Sequence, residues 1–385
     1  MPKRNAQGGG TIRQRPDGRW EARYTAGRDS GTGKQVQRSI YGATQKEVRQ
    51  KLQQVCIDID TGIYTEPARL TVGAWLDIWV TEYTGNLKPV TLQLYKDRIR
   101  LHIKPYIGAL SLNSLKSPAI QNMYNTLKDK IAPGTIINIH AILHKALQQA
   151  IIIGYIRVNP SDGCILPRNE RKKITPLDND DISRFLQAIQ GHKYENLFIV
   201  DLFTGMRQGE ILGLTWDCID YINGSIYIYQ QLQKERIKNG RYLFVPLKNN
   251  KPRNITPAPF VMETLKRQYR EQIQIRMAVN ELWNQGDLSN LVFTNDTGGH
   301  LSHFTVWEEF KKITSALGIE GARFHDLRHS YAVASLHAGD DIKTVQENLG
   351  HHTAAFTLDV YGHVTDQMKK DSADRMEQYI KNITG

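Results

Sequence analysis

Between Ala322 and Val364 the chain reads ARFHDLRHSYAVASLHAGDDIKTVQENLGHHTAAFTLDVYGHV. His325 stands three residues before Arg328 on a segment whose spacing predicts a helix, so both side chains project to one side. A turn, a short helix and a Gly-ended loop then expose His351. Tyr361 follows within a short helical segment beginning near Thr357. A zinc site would draw on His325, His329, His351 and His352, the first two at the i, i+4 spacing that zinc favours. Two features oppose it: no Glu occupies a general-base position, and Arg328 beside a dication is electrostatically unfavourable.

Two further stretches carry chemistry-bearing residues. In LFTGMRQGEILGLTWDCID, Thr204-Gly205 breaks one helix and Arg207 opens the next, with Glu210 three residues on and therefore on the same face. A guanidinium beside the free N–H groups of a helix start grips phosphate well, and an ordinary Arg–Glu ion pair is the competing explanation. In YLFVPLKNNKPRNITPAP, a strand, a Lys-Asn-Asn-Lys turn and a returning strand are expected, with Lys248 and Lys251 flanking the hairpin tip. A lysine at such a tip is otherwise simply solvated.

The elements that must position these residues fall into three segments. The first alternates apolar and polar residues between two turn signals, Pro16-Asp17-Gly18 and Asp29 to Gly33. Three short strands result, with Trp20, Tyr24 and Val36 on the buried side and Arg13, Arg15, Arg19, Arg23 and Arg38 on the exposed one. An amphipathic helix follows, capped by Thr44 with Glu47 three residues on. After a linker, IYTEPARL, the pattern is helical from Thr71. Trp75, Ile78 and Trp79 share one face; helices are expected over 91–103 and 113–128. Ile139, Ile142, Leu143, Ala146, Leu147, Ala150 and Ile151 line another helix that Gly154 ends. His140 and His144 lie four apart on that helix, but no carboxylate or Cys partner is evident, so they read as surface or groove residues. A charged, Pro-containing hinge, LPRNERKKITPLDNDD, leads to a mixed segment: helices over 181–190 and 195–204, strands in SIYIYQQLQ and RYLFVPLK, then helices to the end. There Met376, Tyr379 and Ile380 form an apolar stripe suited to docking on a neighbouring protomer or on the chain's own domain.

Composition limits the function classes. The 385 residues suffice for two or three domains, and 40% hydrophobic and 23% charged residues are ordinary for a soluble globular protein. No apolar run approaches the roughly 20 residues that span a bilayer. The first residues are basic without an apolar stretch behind them, unlike a secretory signal. Three widely spaced Cys fit a reducing cytoplasm rather than a disulfide framework or structural zinc. The net charge is +11, and twelve Lys/Arg against four Asp/Glu between Met1 and Leu52 supply most of it. Basic residues interleaved with strand-forming aromatics point to a phosphate-binding module.

Arg207, Lys248, His325, Arg328, His351 and Tyr361, in that order and within TGMRQGEI, HDLRHSYA, LGHHT and TLDVYGHV, resemble the catalytic set of the tyrosine recombinase (integrase) family. The resemblance spans Leu177 to Val364. The helical segment looks like that family's core-binding domain, and the basic front module resembles the arm-type DNA-binding domain of integrases from phages and conjugative transposons. It implies a multidomain, mainly α fold with small β-sheets: an arm-type sheet-plus-helix module over 1–62, a SAM-like core-binding bundle over 70–168 and an α+β catalytic domain over 174–385. Lys248 takes the family's lysine position, with Lys251 close enough to compete.

The implied reaction is site-specific recombination through a 3′-phosphotyrosine. Tyr361 attacks the scissile phosphorus while Arg207 and Arg328 clamp the non-bridging oxygens. His325 assists as base, His351 donates to a phosphate oxygen, and Lys248 protonates the 5′ leaving oxygen. The phosphotyrosine bond conserves the energy of the broken strand, so neither ATP, metal nor other cofactor is needed. The implied partners are double-stranded DNA at core and arm sites, a homotetramer on synapsed DNA, and a host bending factor or excisionase as accessory. The implied location is the bacterial cytoplasm, at the nucleoid. A type IB topoisomerase would share the chemistry without needing an arm module. A non-catalytic DNA-binding protein would explain the charge but not six catalytic-type residues in order.

Overall fold

A computed structural model of the chain describes all residues except 1–10, 29–32, 61–69, 171–175, 237–239, 249, 351–365 and 385. The expected site residues His351, His352 and Tyr361 therefore lie outside the described residues. The chain divides into two compact units, Met1–Glu170 and Arg171–Gly385.

The first unit opens with an antiparallel sheet of β1 (Thr11–Gln14), β2 (Trp20–Arg28) and β3 (Gln35–Gly42), followed by α1 (Gln45–Asp60). Ala22 and Tyr24 pack on Val48 and Leu52 of α1, while Trp20 is only partly buried and Val36 lies half-exposed near the start of β3. Thr44 Oγ1 accepts from the Glu47 N–H at 3.2 Å, and the Glu47 carboxylate accepts from the Ala43 N–H at 3.0 Å, so the expected helix start forms. Arg38 requires a correction. It stands opposite Tyr24 in the ladder, so it shares the α1 side of the sheet rather than the face of Arg13 and Arg23, although it is exposed there.

A helical bundle follows: α2 (Val72–Glu82), α3 (Pro89–Arg98), α4 (Lys104–Ile107), α5 (Ser117–Lys128) and α6 (Pro133–Ile152). A π-helical turn over Ile99–Ile103 joins α3 to α4. Trp75 and Trp79 enter the core, and Trp75 Nε1 donates to the Ala146 carbonyl at 2.9 Å. Ile78 is corrected to a surface position, because the buried face runs through Val72, Trp75, Leu76, Trp79 and Val80, and at about 100° per residue Ile78 projects away from it. The expected apolar face of α6 is buried except for Ile151, which is half-buried.

The second unit contains α7 (Asn179–Ala188), α8 (Glu195–Thr204), α9 (Gln208–Leu212), α10 (Pro259–Val279), α11 (His303–Ala316), α12 (Phe324–His337), α13 (Ile342–Leu349) and α14 (Asp366–Thr384). Side-chain caps at Asp178, Ser302 and Asp341 start α7, α11 and α13. Its strands are β4 (Ile219–Asp220), β5 (Ser225–Ile228), β6 (Gln230–Lys234), β7 (Tyr242–Pro246) and β8 (Arg253–Ile255). They form two sheets, β4-β5-β8 and β6-β7.

That topology corrects two expectations. SIYIYQQLQ is two strands in different sheets, broken at Tyr229. The stretch around Lys248 is not the tip of a hairpin but the connector from β7, which pairs with β6, to β8, which pairs with β5. The cause is burial: Ile255 stands opposite Ile226 with both in the core, whereas β7 sets Phe244 against Leu232. Among the described residues no helix is long and apolar enough to cross a membrane.

Candidate active site

The second unit gathers its chemistry around the C-terminal end of α13. Helix α8 ends at Gly205, whose left-handed φ of 60° suits glycine, and a Cβ there would strike the Tyr331 ring. The chain then reaches Arg207, which precedes α9 in extended conformation. Its Nη1 donates to Glu210 Oε1 at 2.7 Å, its backbone N–H to Glu210 Oε2 at 2.9 Å, and its Nη2 to the Gly350 carbonyl at 3.1 Å. So the Arg207–Glu210 ion pair exists, and it also aims the guanidinium at the residue before His351.

Arg328 arrives on α12 and is 1% exposed. Its Nη1 donates to the Gly205 carbonyl at 2.6 Å and its Nη2 to the Leu349 carbonyl at 2.5 Å. Arg207 and Arg328 thus meet at adjacent carbonyls, Gly350 and Leu349. His325, on the same helix, keeps one edge open to solvent, and its pKa falls to about 4. Packing that strips water from the ring lowers it most, followed by His329, Arg328, Arg207 and Arg323. An anion bound between the arginines would oppose the part due to those cations, so the neutral imidazole is available to take a proton there. His329, its ring centroid 4.8 Å from that of His325, is likewise held near 4, chiefly by burial. Among the described residues, no three or more His, Cys, Asp or Glu side chains are grouped to hold a metal.

Two residues at this site, Arg253 and Asp201, escaped the sequence reading, and a third, Glu210, does more than the sequence suggested. Glu210 is more than an ion-pair partner: Arg253 of β8 donates to it through Nη1 at 3.1 Å and Nη2 at 2.6 Å. Burial alone would raise the Glu210 carboxyl; the hydrogen bond from Arg253, then the charges of Arg253 and Arg207, hold it at about 2. Arg253 itself was missed because nothing local marks an inward-facing arginine in a three-residue strand. Asp201 on α8 is buried, with an Oδ1 that has no hydrogen-bond partner among the described residues. Burial raises its pKa well above the usual carboxylate range, opposed by Arg328 and helped by Glu210.

Asp201 gives a stability prediction. Its folded-state pKa is raised, so the folded chain keeps a proton that the unfolded chain loses above about pH 4, and stability falls as pH rises from there. Asp201→Asn is therefore expected to raise the melting temperature by a few degrees at about pH 8 and to leave it unchanged near pH 4. Thermal melts across that range decide it; a gain that ignores pH refutes this account.

Lys248 and Lys251 are both exposed on the β7–β8 connector. Leu247, immediately before Lys248, is buried, and its carbonyl accepts from the Asn250 N–H at 2.9 Å, which fixes a tight turn beside Lys248.

In the first unit, Arg13 and Arg23 lie on the outer face of the sheet, and a buried carboxylate orders both. Glu21 is 2% exposed and accepts from Arg13 Nε at 2.7 Å, Ser39 Oγ at 2.9 Å and Arg23 Nε at 3.4 Å. Those bonds, that from Arg13 foremost, bring its pKa down to about 2. Arg15 lies over the Tyr41 ring, and Arg19 pairs with Asp17 at 2.8 Å. The expectation that His144 lacks a carboxylate partner fails, since Asp162 Oδ1 sits 2.9 Å from its Nε2; the residue comes from the loop after α6, too far along the chain for helix spacing to reveal. His140 instead meets the Tyr124 hydroxyl at 3.1 Å.

Comparison with known proteins agrees with this geometry. The model of the phage integrase family matches residues 176–368, and that of the phage integrase N-terminal SAM-like domain matches residues 71–128. The chain belongs to the phage integrase family, the tyrosine recombinases, whose reaction is site-specific DNA recombination. It is 27% identical over 368 residues to a tyrosine recombinase XerC-like protein of Caldanaerobacter subterraneus, covering 91% of this chain and 94% of that one. It is 22% identical to the ICEBs1 integrase of Bacillus subtilis, over 96% of this chain and 100% of the relative. Among solved structures, the Tn1549 transposon integrase in complex with a circular intermediate DNA superposes with a TM-score of 0.68 at 21% identity, over 80% of this chain and 99% of that one. A lambda integrase tetramer bound to a Holliday junction gives 0.56 at 20% identity, over 94% and 99%.

Proposed function

We propose that this chain integrates and excises a mobile DNA element, cutting and rejoining strands through a 3′-phosphotyrosine on Tyr361. The observation that carries this reading is the meeting of Arg207 and Arg328, far apart in sequence, on consecutive carbonyls beside His325. Each guanidinium has donors beyond those it spends on the carbonyls, and a scissile phosphate between them would have its non-bridging charge neutralised in a preorganised site. Tyr361 Oη bonds to phosphorus, its proton passing to His325. The 5′ oxygen leaves with a proton from Lys248, and His351 donates to a phosphate oxygen. Attack by a 5′ hydroxyl from the partner strand reverses each step, so no phosphodiester energy is lost. Trapping of a covalent adduct on a nicked substrate tests the assignment.

The division of labour we assign is arm-site binding to residues 1–62, core-site binding to 70–168 and catalysis to 174–385. The outer-face arginines of the sheet support the first. The lambda integrase assembly on a Holliday junction supports a working tetramer. So does α14, whose Met376, Tyr379 and Ile380 stay exposed in the isolated chain, an apolar stripe suited to a neighbouring protomer. A DNA-bending host factor or an excisionase would act at the arm sites, on DNA held at the nucleoid.

Deleting residues 1–61 is expected to leave cleavage of a core site intact and to impair integration that depends on distant arm sites. Because lost phosphate contacts release fewer counterions, the salt dependence of DNA binding should flatten as well. Binding titrations at several salt concentrations, run beside an integration assay, check both. An unchanged requirement for arm sequence would assign that role elsewhere.

A further inference from the structure

The last turn of α13 leaves carbonyls without helical partners at the negative end of its dipole. Three successive ones are each held by a different arginine: Asn348 by Arg253 Nε at 2.7 Å, Leu349 by Arg328 Nη2 at 2.5 Å, and Gly350 by Arg207 Nη2 at 3.1 Å. Gly350 has φ +63°, which favours glycine, and a Cβ there would crowd Arg253 Cδ and Nη1 at 3.1 Å. The chain enters His351 directly from this collar.

The three arginines are not equivalent. Arg207 and Arg328 must turn donors to a phosphate when DNA arrives, and a carbonyl they also hold competes for them. The Arg253 side chain is 8% exposed, with Glu210 bound across both its Nη atoms. Its grip on Asn348 therefore does not depend on whether substrate is present. Glu210 in turn takes four donors, two from Arg253 and two from Arg207, so the same carboxylate that orients the phosphate clamp is locked to β8. The strand reaches Arg253 only five residues after Lys248.

We propose that Arg253 is a positioning residue for strand cleavage: it fixes the end of α13, and hence the approach to His351, against the Arg207 clamp independently of substrate. The proposal rests on the recombinase reading above. A displacement of the clamp by about 1 Å costs on the order of a hundredfold in rate, without touching the contacts that bind DNA.

The test uses the full chain and a nicked substrate containing its own core site, comparing the unaltered protein with Arg253→Met and Arg253→Lys. Lysine keeps the buried charge but loses the planar fork, so it carries the test should the methionine variant not fold. Both variants are expected to form adduct about tenfold to a hundredfold more slowly at saturating DNA, with binding within about threefold. A second substrate places a methylphosphonate at the scissile position, removing the non-bridging charge that the arginines neutralise. On it the variants should come within about threefold of the unaltered chain, because the misplaced clamp no longer matters. Equal losses on both substrates would mark a general structural defect and overturn the proposal, as would unchanged rates or a loss confined to binding. If the unaltered chain formed no adduct on either DNA, the recombinase reading would fall and the proposal with it.

Discussion

Replacing Tyr361 by phenylalanine is expected to abolish the covalent protein–DNA adduct while leaving site-specific binding within about threefold. Only the hydroxyl is removed; the aromatic ring is kept. A tyrosine hydroxyl has a pKa near 10, so a neutral phosphate pocket would leave it inert at physiological pH. The pocket is not neutral: Arg207 and Arg253 share one ionised carboxylate, Glu210, and Arg328 is bound to the Gly205 and Leu349 carbonyls, while Asp201 is held towards its protonated form. The surplus positive charge favours both the phosphate and a developing phenolate. Denaturing gels of protein mixed with a nicked substrate report the adduct directly. Adduct or strand exchange in the Phe variant would remove Tyr361 from the role of nucleophile.

Much of this site was legible in the sequence because its key residues obey short-range geometry. Arg207 and Glu210 close the cap at the start of α9, and His325 and Arg328 are neighbours on one turn of α12, so local geometry places each pair without help from the rest of the fold. Residues whose position depends on strand partners were not legible. The alternation around Tyr242 to Ile255 marks two strands but says nothing about whether they pair with each other. The outcome is decided by which apolar side chains reach the core, Ile255 against Ile226, and by the β6–β7 pairing that occupies the other edge. The same choice conceals Arg253, which becomes inward-facing only once β8 lies on β5. Arg38 shows the effect in small: period-two reasoning groups it with the other arginines, but the ladder sets it opposite Tyr24, on the other face.

The outer face of the N-terminal sheet carries an arrangement that a count of charges hides. An acidic residue among arginines looks like a loss of affinity for DNA. Glu21, buried beneath Arg13, Arg23, Ser39 and Tyr41, instead converts flexible cations into forks with fixed directions. Fixed forks lose less side-chain entropy when they meet a phosphate, so under the proposed arm-site role the carboxylate would trade bulk attraction for directed contacts. The catalytic unit uses the same device, with Glu210 holding Arg207 and Arg253. In both units a buried carboxylate orders arginines that would otherwise repel one another, and it does so with a pKa held near 2, well below any physiological pH.

Lys248→Ala is expected to slow cleavage by a factor on the order of a hundred or more, the loss typical of a missing general acid. A 5′ alkoxide is a poor leaving group and needs a proton as the P–O bond breaks, whereas a thiolate, whose conjugate acid has a pKa near 8.5, needs none. A substrate with sulfur at the 5′ bridging position should therefore restore the variant's rate and leave the rate of Tyr361→Phe at zero. Lys251 is the competitor, and the connector geometry separates the two. Lys248 adjoins Leu247, which is anchored in the core, and the turn closed by the Asn250 N–H on the Leu247 carbonyl begins there. Lys251 lies beyond Asn250, whose left-handed φ of 50° redirects the chain before Arg253 ties it down again. A proton donor must stay within hydrogen-bond reach of one oxygen through the transition state, which favours the lysine beside the anchored residue. Measuring single-turnover cleavage of oxygen and sulfur substrates by both alanine variants resolves the matter. Sulfur rescue of Lys251→Ala in place of Lys248→Ala would transfer the role of general acid across the turn, and rescue of neither would place the proton donor outside this connector.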